Sequence, residues 1–251
     1  MSAQSYKMKQ CALCLAIVAM FTLTGFKETK QVRGPMSGGV QESGFLGDLY
    51  SVLADGAKGQ ALKVYRSPTI DELAPGAYNK VYMDRVTMYF DSESKMNNLP
   101  PEQLQALADL FAADLALELY GDYELVKESG PNTLLLQIAI TDVKRTKTGL
   151  KALSFIPFGP PGAKLALSKA KEMLTGKPIF SGEVTAEMKL SDSQNGEVYF
   201  AAVDRRVGSR LGGGWKSWTD AEAAFRYWAE KIRYTLCMQF RHGTDCVAPK
   251  E

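Results

Sequence analysis

Histidine is almost missing from this sequence: His242 is the only one in 251 residues. A Ser-His-Asp or Cys-His arrangement would have to be built on that single imidazole, which no local motif frames, so no catalytic residues are assigned. A four-ligand zinc site fails for the same reason, and neither a metal nor a cofactor is expected. Net charge is lacking too. Lys and Arg number 30 against 28 Asp and Glu, and Lys7 and Lys9 supply the excess, which leaves 28 of each sign beyond residue 25. Without a strong field of one sign, nucleic acid is not an expected partner. The sequence has no internal repeat and no low-complexity tract. It also lacks a phosphate loop. Thr175-Gly176-Lys177 resembles the end of one, but Lys171 stands where the first glycine would be needed.

What is present starts with a basic, then apolar, N-terminus. Lys7 and Lys9 precede the run from Cys11 to Phe21, which leads into Thr22-Leu23-Thr24-Gly25-Phe26. This is the layout of a secretory signal over residues 1–25, either cleaved or retained as an anchor. The run falls short of the roughly 17 residues that span a bilayer. Leu23-Thr24-Gly25 has the form of the tripeptide before a lipidated cysteine, yet Phe26 occupies the cysteine position and offers no thiol. Lipidation at Phe26 is therefore not possible. The expected location is the bacterial periplasm or cell envelope, with membrane proximity supplied by the retained signal segment or by a partner.

Residues 26–43, which contain Gly34-Pro35 and Gly38-Gly39, read as a flexible tether. A single domain then fills 44–251, a length that buries one sizeable core. Cys11 and Cys14 belong to the signal, so Cys237 and Cys246 are the pair left to the mature chain. An oxidising compartment would bridge them and a reducing one would leave two thiols.

Periodicity lays out the domain. The cluster Phe45, Leu46, Leu49, Tyr50, Val52 and Leu53 precedes a strand over 80–90 whose alternation shifts phase near Arg85, as at a bulge. Pro100-Pro101 opens a helix to about Tyr120, with Leu104, Leu107, Phe111, Leu115 and Leu119 on one stripe, closed by Gly121. Strands over 123–128 and 134–143 flank the turn signal Ser129-Gly130-Pro131-Asn132 and read as a hairpin. After the apolar loop 155–162 and a helix near 163–174, Val184, Ala186, Met188 and Leu190 alternate with Thr185, Glu187 and Lys189, as in a strand with one buried face. Asn195-Gly196 returns the chain along 198–206. A glycine-rich loop leads to a last helix near 220–240, introduced by the capping-box spacing Thr219 to Glu222, with Phe225, Trp228, Ala229, Ile232 and Leu236 as its core stripe.

Several residues are candidates for contact. Arg205, Arg206, Arg210, Trp215 and Lys216, near the glycines 208–214, have the chemistry of an anion or partner site, since guanidinium forks and turn amides suit phosphate or carboxylate. The bland alternative is that Asp204 pairs with an arginine and the rest are solvated. Phe155 and Phe158 form an uncharged docking loop, or a lid on the protein's own core. Tyr227 and Tyr234, seven residues apart, lie off the core stripe of the last helix. Asp114 and Glu118, one turn apart, are the candidate acid pair of a hydrolase or simply a helix end turning to solvent.

Tyr78-Asn79-Lys80-Val81-Tyr82-Met83-Asp84, Leu104-Gln105-Ala106-Leu107-Ala108-Asp109, Ile140-Thr141-Asp142, Phe180-Ser181-Gly182-Glu183, Val203-Asp204-Arg205-Arg206, Trp218, Ala224-Phe225 and Tyr227-Trp228 occur in order. In that series the chain resembles an uncharacterised bacterial envelope lipoprotein family, a domain of unknown function, over roughly residues 44–240. The resemblance implies export and a lipid anchor, from which Phe26 departs, and it brings no catalytic residues.

The expected fold is α+β: a mostly antiparallel sheet of about five strands with packed helices. That layout is similar to periplasmic accessory lipoproteins of envelope assembly machines, a likeness of fold level only. The leading functional expectation is a non-enzymatic envelope accessory or binding protein that meets a protein, lipid or glycan. A periplasmic hydrolase using Asp or Glu residues and a purely structural tethered domain are the alternatives.

Overall fold

A computed structural model describes residues 29–31, 42–90, 95–143, 183–208, 218–241 and 245–249. The strands are β1 (Thr29–Gln31), β2 (Ala54–Asp55), β3 (Lys63–Arg66), β4 (Lys80–Met83), β5 (Thr87–Met88), β6 (Glu124–Val126), β7 (Thr133–Val143), β8 (Glu183–Asp192) and β9 (Val198–Gly208). The helices are α1 (Pro101–Leu119) and α2 (Trp218–Leu236), the latter closing in a π-helical turn over Cys237–Arg241. The expected loop 155–162 and helix 163–174 lie outside the described residues, as does 209–217 of the glycine-rich loop.

All nine described strands join one sheet in the order β2-β3-β9-β8-β7-β4-β6, with β1 added to β9 and β5 to β7. The α+β class holds, but the sheet is larger than five strands and mixed. β4 pairs in parallel with both β6 and β7, and β5 pairs in parallel with β7. The cause is α1. A helix between two strands carries the chain back to the starting edge, so the strand that follows runs parallel to the one before. For the same reason β6 and β7 do not form the expected hairpin: β4 lies between them. Asn132, at φ 56°, makes the turn into β7, in a conformation that Asn tolerates better than most residues.

The phase shift near Arg85 is a bulge. Met83 faces Leu136 and Thr87 faces Ala139, so three residues on one strand oppose two on the other. Gly121, at φ 93°, ends α1 in the left-handed conformation that suits glycine at this position.

Both helices pack on one sheet face. Leu134, Leu136, Ile138 and Ile140 of β7 are buried with Phe111 and Leu115 of α1 and Phe225, Trp228 and Ile232 of α2. The Phe111 and Phe225 rings stack with centroids 4.8 Å apart. Such fully buried side chains contribute about 1.5–3 kcal/mol each.

The other face is covered as well, which corrects the one-sided reading of β8. The apolar cluster that begins at Phe45 forms a 3-10 turn, Gly47–Val52, and Leu46 packs on Ala201 and Val203 with Phe45, Leu49, Tyr50, Leu53 and Tyr65 around them. Glu187 lies under this cover at 0% exposure. The Tyr50 hydroxyl accepts from the Ser43 and Gly44 amides at 3.1 and 3.0 Å and donates to Glu187 Oε2 at 2.5 Å. Burial raises the Glu187 carboxyl above the usual carboxylate range, opposed by the bonds from Tyr50 and Ser43.

Part of the expected tether is also structured. β1 extends the outer edge of β9, with Thr29 facing Gly208 and Gln31 facing Arg206.

Candidate functional site

Strand register builds the floor of the site. Val64 of β3, Ala202 of β9, Met188 of β8 and Ile138 of β7 are cross-strand neighbours in one row. Because side chains alternate across a strand, all four point to the helix face. Phe200 lies one row away on that face, and Ala186 and Asp204 lie one row away on its other side. The alanines at 186 and 202 leave depth that a larger residue would fill.

Helix α2 makes the wall. Its core stripe, with Phe225, packs against α1, it meets the sheet at β9 and β1, and its flank overhangs β3. Tyr227, Lys231, Tyr234, Thr235 and Met238 come from that flank, at the three-, four- and seven-residue spacings that share a helix face. Floor and wall enclose a groove of about 300 Å³, with Phe111 and Trp228 also in its lining.

Polar groups stand at its margins. Arg66 binds Asp71 through two hydrogen bonds, at 2.9 and 2.5 Å, and donates to Gln239 Oε1 at 2.9 Å, tying the end of the helical segment to β3. The same guanidinium holds the Asp71 carboxyl below its ordinary range. The Lys231 ammonium sits 5.0 Å from the Tyr234 ring centroid, within the range of a cation–π contact.

A buried polar cluster closes the other end. Asp204 accepts from Trp228 Nε1 at 2.8 Å, Gln31 Nε2 at 2.5 Å and the Leu62 amide at 3.3 Å. Burial raises its carboxyl above the ordinary range, and the bonds from Trp228 and Gln31 and the charge of Arg206 oppose that shift. Arg206, 2% exposed, donates through Nε to Thr29 Oγ1 at 2.7 Å and through Nη2 to the Thr29 carbonyl at 2.6 Å. Its guanidinium carbon lies 3.4 Å from the Tyr227 ring centroid, and Nη1 is 4.0 Å from Asp204. Arg206 therefore joins β1, β9 and α2.

Arg205 and Arg206 lie within strand β9 rather than in an open basic loop. Arg205 and Arg206 are neighbours on β9 and so face opposite sides of the sheet, both buried; Arg205 donates to Thr185 Oγ1 at 3.3 Å. The charge partner of Asp204 is Arg206, whereas Arg205 is buried rather than solvated as the bland alternative had it. Arg210, Trp215 and Lys216 lie outside the described residues, as do Phe155 and Phe158. Cys237 and Cys246 are joined in a disulfide, their Cα atoms 5.7 Å apart. Asp114 is buried, Glu118 is half-buried, and neither lines the groove. Glu118 instead acts on Glu230, whose carboxyl is raised by burial and by that neighbouring charge.

Among the described residues, no three His, Cys, Asp or Glu side chains gather as they would around a metal ion. No described helix is long and apolar enough to cross a membrane. The floor row was missed from sequence, although the alternation of β8 and β9 together with small residues at 186 and 202 is the signal that marks it. The paired tyrosines were visible, but what they face was not.

The chain belongs to the family described as Protein of unknown function (DUF3313), matched over residues 41–232. No curated protein matches it. Among solved structures it is similar to two of the PelC dodecamer from Paraburkholderia phytofirmans, one of them a point variant, at 17% and 16% identity. These cover 66% and 65% of this chain and 92% and 91% of theirs, each with a TM-score of 0.33. A PDZ domain protein from Parabacteroides distasonis is 13% identical, over 64% of this chain and 33% of its own, with a TM-score of 0.27.

Proposed function

We propose that this protein is an exported, non-enzymatic binding protein of the bacterial envelope that receives its partner or ligand in the groove between α2 and strands β3 and β9. The observation that carries this reading is the groove itself: a concave, largely apolar site with a few fixed polar groups at its margins, which is the form binding sites take. The Cys237–Cys246 bridge supports export, since disulfides persist in oxidising compartments such as the periplasm. The lipoprotein-like signal points the same way, and with Phe26 in the acceptor position attachment rests on the signal segment or on a partner.

Retention of envelope components by the full-length protein tests this. A specific protein, lipid or glycan should be held by the native protein and released from Ala202→Trp, which fills the floor. Retention of nothing specific, or equal retention by both proteins, contradicts it.

A further inference from the structure

We infer that residues 43–53 form a pH-sensitive strap over the second face of the sheet, closed while the Glu187 side chain holds a proton and loosened when it gives that proton up. The groove lies on the opposite face and plays no part in this.

The strap is lightly held. Of its residues only Leu46 is fully buried, and Val52 is 52% exposed. Its backbone bonds join Gly47 to Gly44, Leu49 to Leu46 and Leu53 to Tyr50, all within the segment, so it adds no strand to the sheet. Segments with few buried contacts open locally at far lower cost than the whole domain.

One node ties it down. The Tyr50 hydroxyl oxygen accepts from the amides of Ser43, Gly44 and Leu46 at 3.1, 3.0 and 3.5 Å, which gathers the turn, and its proton goes to Glu187 Oε2 at 2.5 Å. Glu187 Oε1 is buried and has no hydrogen-bond partner among the described residues. A carboxylate so placed is a buried charge with one oxygen unanswered, and the neutral acid is far less costly there.

The surrounding charged groups leave that cost in place. Lys189 shares the face two residues along β8, and on β9, where Val203 stands opposite Glu187, Arg205 shares the face and donates to Thr185. On β7, Asp142 lies against Thr185, and Gln137, bonded to Asp84, lies against Lys189. Tyr65 of β3 packs beside the strap, and Glu42 at its start adds a like charge. Burial is the largest influence on the Glu187 carboxyl and raises it above the ordinary range. Burial and the bond to Glu187 also raise the Tyr50 hydroxyl, so Tyr50 stays the donor and the proton lost as pH rises is that of Glu187.

In the open strap Glu187 meets water and returns to an ordinary value of about 4.3. Opening therefore releases a proton between that value and the higher one of the closed state. The opening equilibrium should rise up to about tenfold per pH unit across this window and level off above it. Opening bares Ala201, Val203 and the carboxylate together, an apolar strip of sheet that the closed strap hides.

Amide hydrogen exchange of the full-length protein tests this, read by mass spectrometry from about pH 4 to about pH 8 and corrected for the intrinsic pH dependence of exchange. Protection of 43–53 should fall as pH rises while α1 and α2 keep theirs. Glu187→Gln, neutral throughout, should hold the protection of the strap constant across the range. Tyr50→Phe should lower it about fivefold at the acid end by removing the shared acceptor. In the native protein the carboxyl carbon resonance of Glu187 should titrate above those of exposed glutamates and in step with the strap amides, a readout that requires no variant to fold. Strap protection that is constant with pH, that falls equally in Glu187→Gln or that falls only together with the helices overturns the inference, as does a Glu187 resonance that titrates with the exposed glutamates.

Discussion

The indole nitrogen of Trp228 donates to Asp204 Oδ2 at 2.8 Å, joining helix α2 to strand β9 at the inner end of the groove. The same carboxylate accepts from Gln31 and Leu62, so one acid fills the gap between β1 and β3 where both meet the edge of β9. Trp228→Phe keeps most of the ring packing and removes one donor. The expected loss is about 1–3 kcal/mol in urea unfolding, the cost of leaving a buried acceptor short of a partner.

Arg206 carries the second half of this junction. Arg206→Ala leaves Asp204 without its neighbouring charge and strips both side-chain bonds from Thr29, so a loss of about 3–5 kcal/mol is expected. Arg206→Lys should recover little of it, because an ammonium cannot reproduce the planar fork that reaches the Thr29 hydroxyl and carbonyl together. Limited proteolysis should then cut ahead of Ser43 faster than in the native protein, and an unchanged cleavage rate would show that β1 is held by other contacts.

Buried and paired carboxyls act in opposite directions on pH. Glu187 and Asp204 have folded pKa values raised mainly by burial. Each binds its proton more tightly in the folded state, so stability rises as pH falls from neutrality through the folded value towards the unfolded one near about 4. Asp71, Asp122 and Asp192 are lowered by Arg66, by Arg241 with Arg233, and by Tyr78 with the 194 and 195 amides respectively. Their contribution is present above the unfolded value and is lost as pH falls through the folded one. Thermal melting should therefore peak on the acid side of neutrality. Glu187→Gln should flatten the rise on that side while leaving the acid limb in place.

The disulfide closes a short loop, with its cysteines nine residues apart. Chain-entropy reasoning gives about 2–3 kcal/mol for a loop of this size. Reduction should lower the unfolding free energy by that amount without releasing α2, whose core stripe stays buried. An effect near zero would mean that the segment around Cys246 is ordered equally well without the bond.

Much of the frame was legible in the sequence. The stripe Leu104 to Leu119 and the stripe Phe225 to Leu236 marked both helices, since a 3.6-residue period has few competing explanations. Asn195-Gly196 marked the β8–β9 turn, and Gly196 has φ 76° as a hairpin glycine should. Strand direction was not legible. β6 and β7 show the same alternation whether they pair with each other or flank β4, and only the return through α1 decides between these. Burial on both faces of β8 was hidden as well. Thr185 and Glu187 look like solvent positions, and the Tyr50 hydroxyl that donates to Glu187 Oε2 comes from 137 residues away. The groove was least visible, because it depends on where α2 stops covering the sheet. The contribution of Tyr227 and Tyr234 was noticed only as a pair of rings off the core stripe.

Methyl resonances give the most direct test of the groove as the binding site. Met188 and Met238 line it, whereas Met96 is buried in the core beside α1. With selectively labelled methionine methyls and retained envelope material added, Met188 and Met238 should shift in a saturable way while Met96 stays fixed. Saturable binding that leaves Met188 and Met238 unmoved would contradict the account.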